Sequence, residues 1–181
     1  LPMHPRLSRM LVEAAGRACA PAAAMVAAAL SGRQVLLPGP SPQVVRRRRE
    51  RLGETGSDLV LLLRAWLYAR DQRFSVERCR ELAIHAGAAR EMGLTYMQIR
   101  QICLDHGISA PDNAPPPREE DLARCILAGF VDQLAVRESQ GTLDCALTGG
   151  RRAALARESA AREARLIVAA ELREVAPSRR P

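Results

Sequence analysis

Two basic segments of the sequence have the composition of phosphate-binding sites. Residues 46–49 are four consecutive arginines, and residues 149–155 (GGRRAAL) place Arg151 and Arg152 directly after Gly149 and Gly150. Arginine forks hold phosphate oxygens without reading bases, and glycines permit a tight turn and a close approach of the backbone. Both segments therefore indicate an anionic partner such as nucleic acid.

The positive charge of the whole chain agrees with such a partner, but the amino-acid composition weakens this inference. The formal net charge is +7, the pI is near 10.1, and all 27 basic residues are arginine. Since lysine is absent and alanine is abundant, a compositional bias of the source proteome is an alternative explanation for much of this arginine usage. Each segment also has an ordinary explanation: residues 46–49 as a solvated helix face, and residues 149–155 as a hairpin loop with a basic tip.

Other side-chain chemistry has little support in the sequence. The five cysteines are widely spaced and fall mostly at apolar positions of helical patterns, which is typical of reduced core thiols. Cys103 and His106 have ligand-like spacing but lack two further ligands, so packing is favoured over metal binding. His4, His85 and His106 have no acid or nucleophile at a telling spacing, and acid–base catalysis is not predicted.

The hydrophobic pattern predicts a bundle of helices. Pro5 opens a helix that ends near Gly16, and Pro21 opens an apolar helix that ends at residues 31–32. We expect Ser57 to cap the central helix of the bundle, and Thr95 with Gln98 to form a capping box that starts another helix. Further helices are predicted at residues 43–57, 76–91 and 118–131. The aromatic residues Trp66, Tyr68 and Tyr96 favour core packing over base stacking.

After the last helix the pattern changes to that of β-structure. Short alternating stretches surround residues 140–141 and 149–150, which is typical of hairpins, and residues 165–172 supply one more strand. Residues 110–117 are rich in proline and form a linker. The sequence thus predicts a mainly α protein, a helical bundle followed by a small β unit.

The ends and the hydropathy of the chain allow two expectations. No run approaches the roughly 18 apolar residues of a membrane helix, and the start lacks the layout of a signal peptide, so we expect a cytoplasmic protein. The chain starts without an initiator methionine, and Leu1, Met3 and Leu7 look committed to a core. We therefore expect a fragment of a longer protein.

Three segments together resemble the region that follows the two motor domains in DEAH-box ATP-dependent helicases. They are residues 1–14 (LPMHPRLSRMLVEA), residues 56–103 (starting GSDLVLLLRAWLYAR) and residues 141–155 (GTLDCALTGGRRAAL). The likeness is strongest to the bacterial members, particularly the group with the suffix B. In that family the order is the end of a winged helix, a helical bundle called the ratchet, and an oligonucleotide-binding (OB) barrel.

The resemblance implies a division of the chain into domains. The predicted parts are the end of a winged helix at 1–16, the ratchet-like bundle at 17–109, a linker at 110–117, the last bundle helix at 118–131, and a partial OB-like β domain at 132–181. The family's barrel needs about five strands. Only about three can be found after residue 132, so we expect an incomplete barrel.

The resemblance also implies a function. The chain would be a non-catalytic accessory region that holds single-stranded RNA, or DNA, against RecA-like motor domains. ATP and Mg would bind those motor domains, because the 181 residues contain neither a GxxxxGK[ST] phosphate loop nor a DEAH sequence. The residues predicted to contact the strand are Arg78, Arg80, Arg90, Arg100, Gly149, Gly150, Arg151 and Arg152.

Two alternatives to this function stay open. Each helical arginine is also explained by solvation or by an ion pair with Glu77, Glu81 or Glu91. The whole chain is also consistent with a helical protein-interaction module, which docks the motor domains or an acidic partner without binding RNA.

Overall fold

Proline-started helices and small side chains determine the architecture. A computed structural model describes residues 1–173 of the chain. The helices are α1 (Pro5–Ala15), α2 (Ala20–Ser31), α3 (Pro42–Leu52), α4 (Asp58–Asp71), α5 (Val76–Glu81), α6 (Ala86–Asp105) and α7 (Glu119–Gly129). The strands are β1 (Leu134–Arg137), β2 (Asp144–Leu147), β3 (Arg152–Ala154) and β4 (Leu166–Val168). The predicted fold class, a mainly α bundle followed by a small β unit, is confirmed.

The alanine-rich helix α2 lies at the centre of the bundle. It packs against α1, α4, α6 and α7, and most of its side chains are buried. The prediction that the helix after Ser57 is the central one was wrong. Alanine side chains let neighbouring helices approach on every side, whereas the larger side chains of α4 do not.

The first and last helices of the bundle also lie against each other. A Cβ at Gly129 would lie 2.5 Å from the carbonyl oxygen of Arg6, so only glycine permits this approach of α7 to α1. Met10 and Leu11 of α1 and Leu122 and Cys125 of α7 are buried in the shared core.

The predicted helix at residues 76–91 is in fact two helices. The chain leaves α5 after Glu81, Ala83 has a φ of 48°, and His85 caps α6 by accepting a hydrogen bond from the Ala88 N–H at 3.0 Å. Neighbouring backbone stabilises this break, because the Leu37 N–H donates to Ala83 and the His85 N–H donates to Val35. Periodicity continues through the break, so the sequence pattern does not reveal it.

The predicted capping box at Thr95 and Gln98 is also wrong. Helix α6 runs without interruption through both residues, and the Thr95 hydroxyl donates to the Glu91 carbonyl one turn earlier. A serine or threonine inside a helix often donates to the carbonyl one turn earlier. The Thr95 hydroxyl is therefore used within α6 and does not cap the start of a new helix.

The β unit is a four-stranded antiparallel sheet in the order β3-β2-β1-β4. Its register pairs Val136 of β1 with Ala146 of β2 and with Leu166 of β4. The strand count exceeds the expected three by one, and within residues 1–173 strands β3 and β4 form the two edges of the sheet. The rest of the predicted β domain, residues 174–181, lies outside the described residues.

The loop between β3 and β4 attaches the β unit to the bundle. The Asp58 carboxylate, at the start of α4, accepts hydrogen bonds from the Ser159 hydroxyl and from the Ala160 N–H, both at 2.6 Å. Ser159 is buried. The Arg137 guanidinium, at the end of β1, donates to the carbonyls of Ala161 and Ala164 in this loop and of Thr142 between β1 and β2. Polar contacts of this loop therefore help to hold the sheet on the bundle.

Candidate nucleic-acid interface

The glycine-rich turn lies between β2 and β3 and has the predicted tight geometry. Gly149 and Gly150 have φ angles of 80° and 75°, a region that residues with a Cβ rarely adopt. The Leu147 N–H donates to the Arg151 carbonyl at 2.8 Å and closes the turn. The turn therefore presents Arg151 and Arg152 at its exit, and both side chains are exposed.

The two arginines of the turn differ in their surroundings. Arg152 Nε lies 3.2 Å from Glu138 Oε1, and its side chain is still 83% exposed. Arg151 makes no ion pair within residues 1–173. Arg151 is thus the better placed of the two to bind a phosphate, since Arg152 already forms an ion pair with a carboxylate.

The two candidate arginines of α5 project into solvent. Arg78 Nη1 lies 3.4 Å from Glu81 Oε1, one of the acids named as an alternative partner. Arg80 is exposed and forms no ion pair with any described residue. The short helix is capped by the Ser75 hydroxyl, which accepts from the Arg78 N–H at 3.5 Å, so the predicted cap is confirmed.

Helix α6 uses its two candidate arginines in protein contacts. The Arg90 guanidinium lies 5.6 Å from the centre of the Phe74 ring, on an exposed surface. Arg100 donates through Nε to the Ala110 carbonyl at 2.6 Å and pairs with Asp112 at 3.1 Å. Only 17% of the Arg100 side chain is exposed. Arg100 therefore attaches the linker to α6 and is poorly available to a strand.

No hydrogen bond or ion pair among residues 1–173 joins the arginines of α5 and α6 to the β2–β3 turn. The arginines of α5 and α6 thus belong to the bundle, whereas Arg151 and Arg152 belong to the β unit.

Sequence reasoning did not identify Arg48 as a structural residue. Within the arginine run it is the one buried side chain, at 7% exposure, and it donates through Nε to the Leu82 carbonyl at 2.8 Å and through Nη2 to the Ala83 carbonyl at 3.1 Å. Burial lowers its pKa from the ordinary arginine value. Its position one turn from Val44 and from Leu52, on the apolar side of α3, is the signal that indicates burial.

A second arginine has a similar structural role. Arg64 of α4 donates to the carbonyls of Leu52 and Glu54 at 3.3 and 2.9 Å, and pairs with Glu119 of α7 at 2.8 Å. These bonds stabilise the C-terminal end of α3, whose last carbonyls have no partners within the helix. Some of the arginines therefore stabilise the fold through hydrogen bonds and ion pairs within the protein.

The cysteines and aromatic residues are structural, as predicted. All five cysteines are free and buried, and burial raises the pKa of Cys125 to about 12, so its thiol stays protonated at neutral pH. Trp66 and Tyr96 are buried with their ring centres 6.0 Å apart, and Trp66 donates to the Ala89 carbonyl. Neither ring is available for stacking on a base.

Two kinds of feature are absent from the described residues. No helix among residues 1–173 is long and apolar enough to cross a membrane. In the same part of the chain, no group of three or more His, Cys, Asp or Glu side chains is arranged to hold a metal ion.

Comparison with known proteins agrees with this arrangement of helices. Residues 4–62 match the family model described as helicase associated domain (HA2), ratchet-like. The predicted resemblance is confirmed. The matched part of the chain includes all of α1, α2 and α3 and the start of α4.

A curated helicase is similar over a longer part of the chain. The chain is 26% identical over 146 residues to the ATP-dependent RNA helicase HrpA of Escherichia coli strain K12. The match covers 77% of this chain, and the chain spans 11% of the length of that relative. The narrower likeness to the suffix-B group stays a prediction, as do the domain boundaries and the strand-contacting residues.

Proposed function

We propose that this chain is the non-catalytic accessory region of an ATP-dependent DEAH-box RNA helicase, and that it holds single-stranded RNA against the motor domains during unwinding. The match of residues 4–62 to the ratchet-like helicase-associated domain is the observation that carries the proposal. In this role ATP and Mg bind the motor domains, and the region acts in the cytoplasm.

The surface chemistry supports a grip on the phosphate backbone. Arg80 and Arg151 are exposed, make no ion pairs among residues 1–173, and lie on α5 and on the β2–β3 turn. Side chains that bind phosphates position a strand without selecting its sequence. A helicase needs such a grip, because it must move along strands of any sequence.

The test is the binding of a fluorescent single-stranded RNA of about 12 nucleotides, followed by anisotropy at low and at moderate salt. We expect roughly micromolar affinity at low salt, falling by about 0.7 log units per phosphate contact for each tenfold rise in salt. In the double variant Arg151→Ala with Arg152→Ala, we expect about a tenfold loss of affinity with an unchanged melting temperature.

A matched control removes the same charge elsewhere. Arg118→Ala with Arg124→Ala also deletes two exposed arginines, but these pair with Asp121 and Glu120 within or beside α7. We expect this variant to bind almost as the parent does. Equal losses in both double variants would remove the β2–β3 turn from the site, and an absence of binding at low salt would contradict RNA holding altogether.

One observation favours the alternative of a protein-docking module. Leu94, Met97 and Leu104 of α6 are exposed at 65%, 51% and 42%. Together with Gln101 they follow the 3-4-3 spacing of a coiled-coil seam, on the side of α6 that faces away from the core. We infer that this seam docks on the motor domains of the helicase. A chain that binds no RNA at low salt would act through this surface alone.

A further inference from the structure

Helix α3 carries a cluster of arginines that the fold leaves unpaired. Arg46, Arg47, Arg49 and Arg51 are exposed, and none of them lies within ion-pair distance of a carboxylate in residues 1–173. Arginines elsewhere in the described chain form twelve ion pairs. This helix is therefore unusual in the molecule, since its positive charges face solvent together.

Such an arrangement disfavours the isolated helix. Arg47 and Arg51 are one turn apart, as are Arg46 and Arg49, and like charges at these spacings repel each other. The helix dipole favours Arg49 and Arg51, which lie in the last turn, but not Arg46 or Arg47. An anionic partner would relieve the repulsion that the fold does not.

The buried Arg48 fixes which way the other arginines point. Its hydrogen bonds to Leu82 and Ala83 prevent α3 from rotating about its axis. On one side of the helix, Arg47 and Arg51 line an open cleft of about 440 Å³ together with Glu50, Glu81 and Leu82. Arg46 and Arg49 lie on the other side of the same helix.

The two sides differ in their acidic neighbours. Glu50 and Glu81 line the cleft together with Arg47 and Arg51. Glu50 also lies one turn from Arg46 along α3, so Glu81 of α5 is the acidic neighbour that only the cleft side has. Near the start of α3, Glu158 of the β3–β4 loop accepts from the Gly39 N–H at 3.4 Å, and Glu54 follows the helix end. Neither of these carboxylates, nor Glu50, forms an ion pair with Arg46 or Arg49 among residues 1–173, so both guanidinium groups are available to a phosphate.

We propose that α3 is a phosphate-binding surface for single-stranded nucleic acid, on which Arg46 and Arg49 hold backbone phosphates while Arg47 and Arg51 contribute little. The inference rests on the proposed function, because it assigns the same strand a second contact on the bundle, apart from the β2–β3 turn. Buried Arg48 fixes the orientation of α3, so that Arg46 and Arg49 face the bound nucleic acid.

Two matched double variants of the 181-residue chain test this surface with the same fluorescent RNA. Arg46→Ala with Arg49→Ala and Arg47→Ala with Arg51→Ala remove equal charge from the same helix and leave Arg48 in place. For the first pair we expect about a tenfold loss of affinity at low salt, and a salt slope that is smaller by about 1.4 log units per decade, which is two phosphate contacts. For the second pair we expect less than about a twofold loss.

The outcomes separate this inference from the proposed function. Equal losses in both variants would mean general attraction by net charge and would overturn the inference. Salt-sensitive binding by the parent chain that neither variant weakens would overturn it too, while the proposed function would stand. A parent chain that binds no RNA would contradict both. Circular dichroism melting of both variants checks that α3 remains folded.

Discussion

Arginine has two roles in this molecule, and the hydrogen bonds of each side chain decide between them. Arg48, Arg64, Arg100 and Arg137 each donate to backbone carbonyls of other segments. Exposed arginines such as Arg46 and Arg151 have no carboxylate partner among residues 1–173. A guanidinium fork suits both roles, because it offers several donors in a fixed plane.

At the residue scale, the contacts of Arg48 predict a large effect on stability. Arg48→Met keeps the apolar stem but leaves the Leu82 and Ala83 carbonyls without this donor, and hydrogen bonds to charged groups contribute about 1.5–3 kcal/mol each. We expect the free energy of unfolding to fall by about 3 kcal/mol in urea titrations. Arg49→Met, one residue along, should change it by less than about 0.5 kcal/mol. Equal effects would show that Arg48 is not a structural residue.

At the element scale, the connections between helices contain strained backbone. Arg73 and Phe74, between α4 and α5, have φ angles of 52° and 55°. The Phe74 N–H donates to the Ala69 carbonyl at 2.7 Å, and the Phe74 ring packs edge-on against Trp66. This turn directs the chain from α4 into α5, and the contacts of Phe74 compensate for its conformation.

Glycine at position 73 should therefore stabilise the protein. The left-handed conformation costs a residue with a Cβ roughly 1 kcal/mol, and the exposed Arg73 side chain forms no ion pair within residues 1–173. We expect Arg73→Gly to raise the free energy of unfolding by up to about 1 kcal/mol. Arg80→Gly, inside α5, should lower it by about 1 kcal/mol. A decrease in both variants would show that the turn is not strained.

At the scale of the whole molecule, the position of the β unit on the bundle depends on few polar contacts. The β3–β4 loop reaches α4 through Asp58, Ser159 and Ala160, while Val168 and Ala170 pack against the core of the bundle. The two surfaces proposed to bind nucleic acid are α3, which is part of the bundle, and the β2–β3 turn, which is part of the β unit. Their spacing therefore depends on the junction.

Loosening the junction should have a local effect. In Ser159→Ala, Asp58 loses the buried hydroxyl but keeps the Ala160 N–H, so we expect a loss of about 1 kcal/mol in stability. Hydrogen exchange should become faster in residues 156–165 and stay unchanged in α2. Ser139→Ala, which removes an exposed hydroxyl, is the control. Unchanged exchange in the loop would mean that the Ser159 hydroxyl does not help to hold the sheet on the bundle.

The sequence by itself determined most helix starts and the side of each helix that is buried. Pro5, Ser57 and Ser75 act on the backbone of their own helices, and the apolar periodicity of α7 needs no knowledge of its neighbours. The resemblance to the helicase-associated region also depended on local segments in order.

Only the tertiary structure decided which charges are available and where a helix is interrupted. Arg48 and Arg49 are adjacent in an identical run, yet the carbonyls that bury Arg48 come from residues 82–83. The break after α5 exists because residues 35–37 pair with it. In both cases the partner is distant in sequence, so no local pattern contains the information.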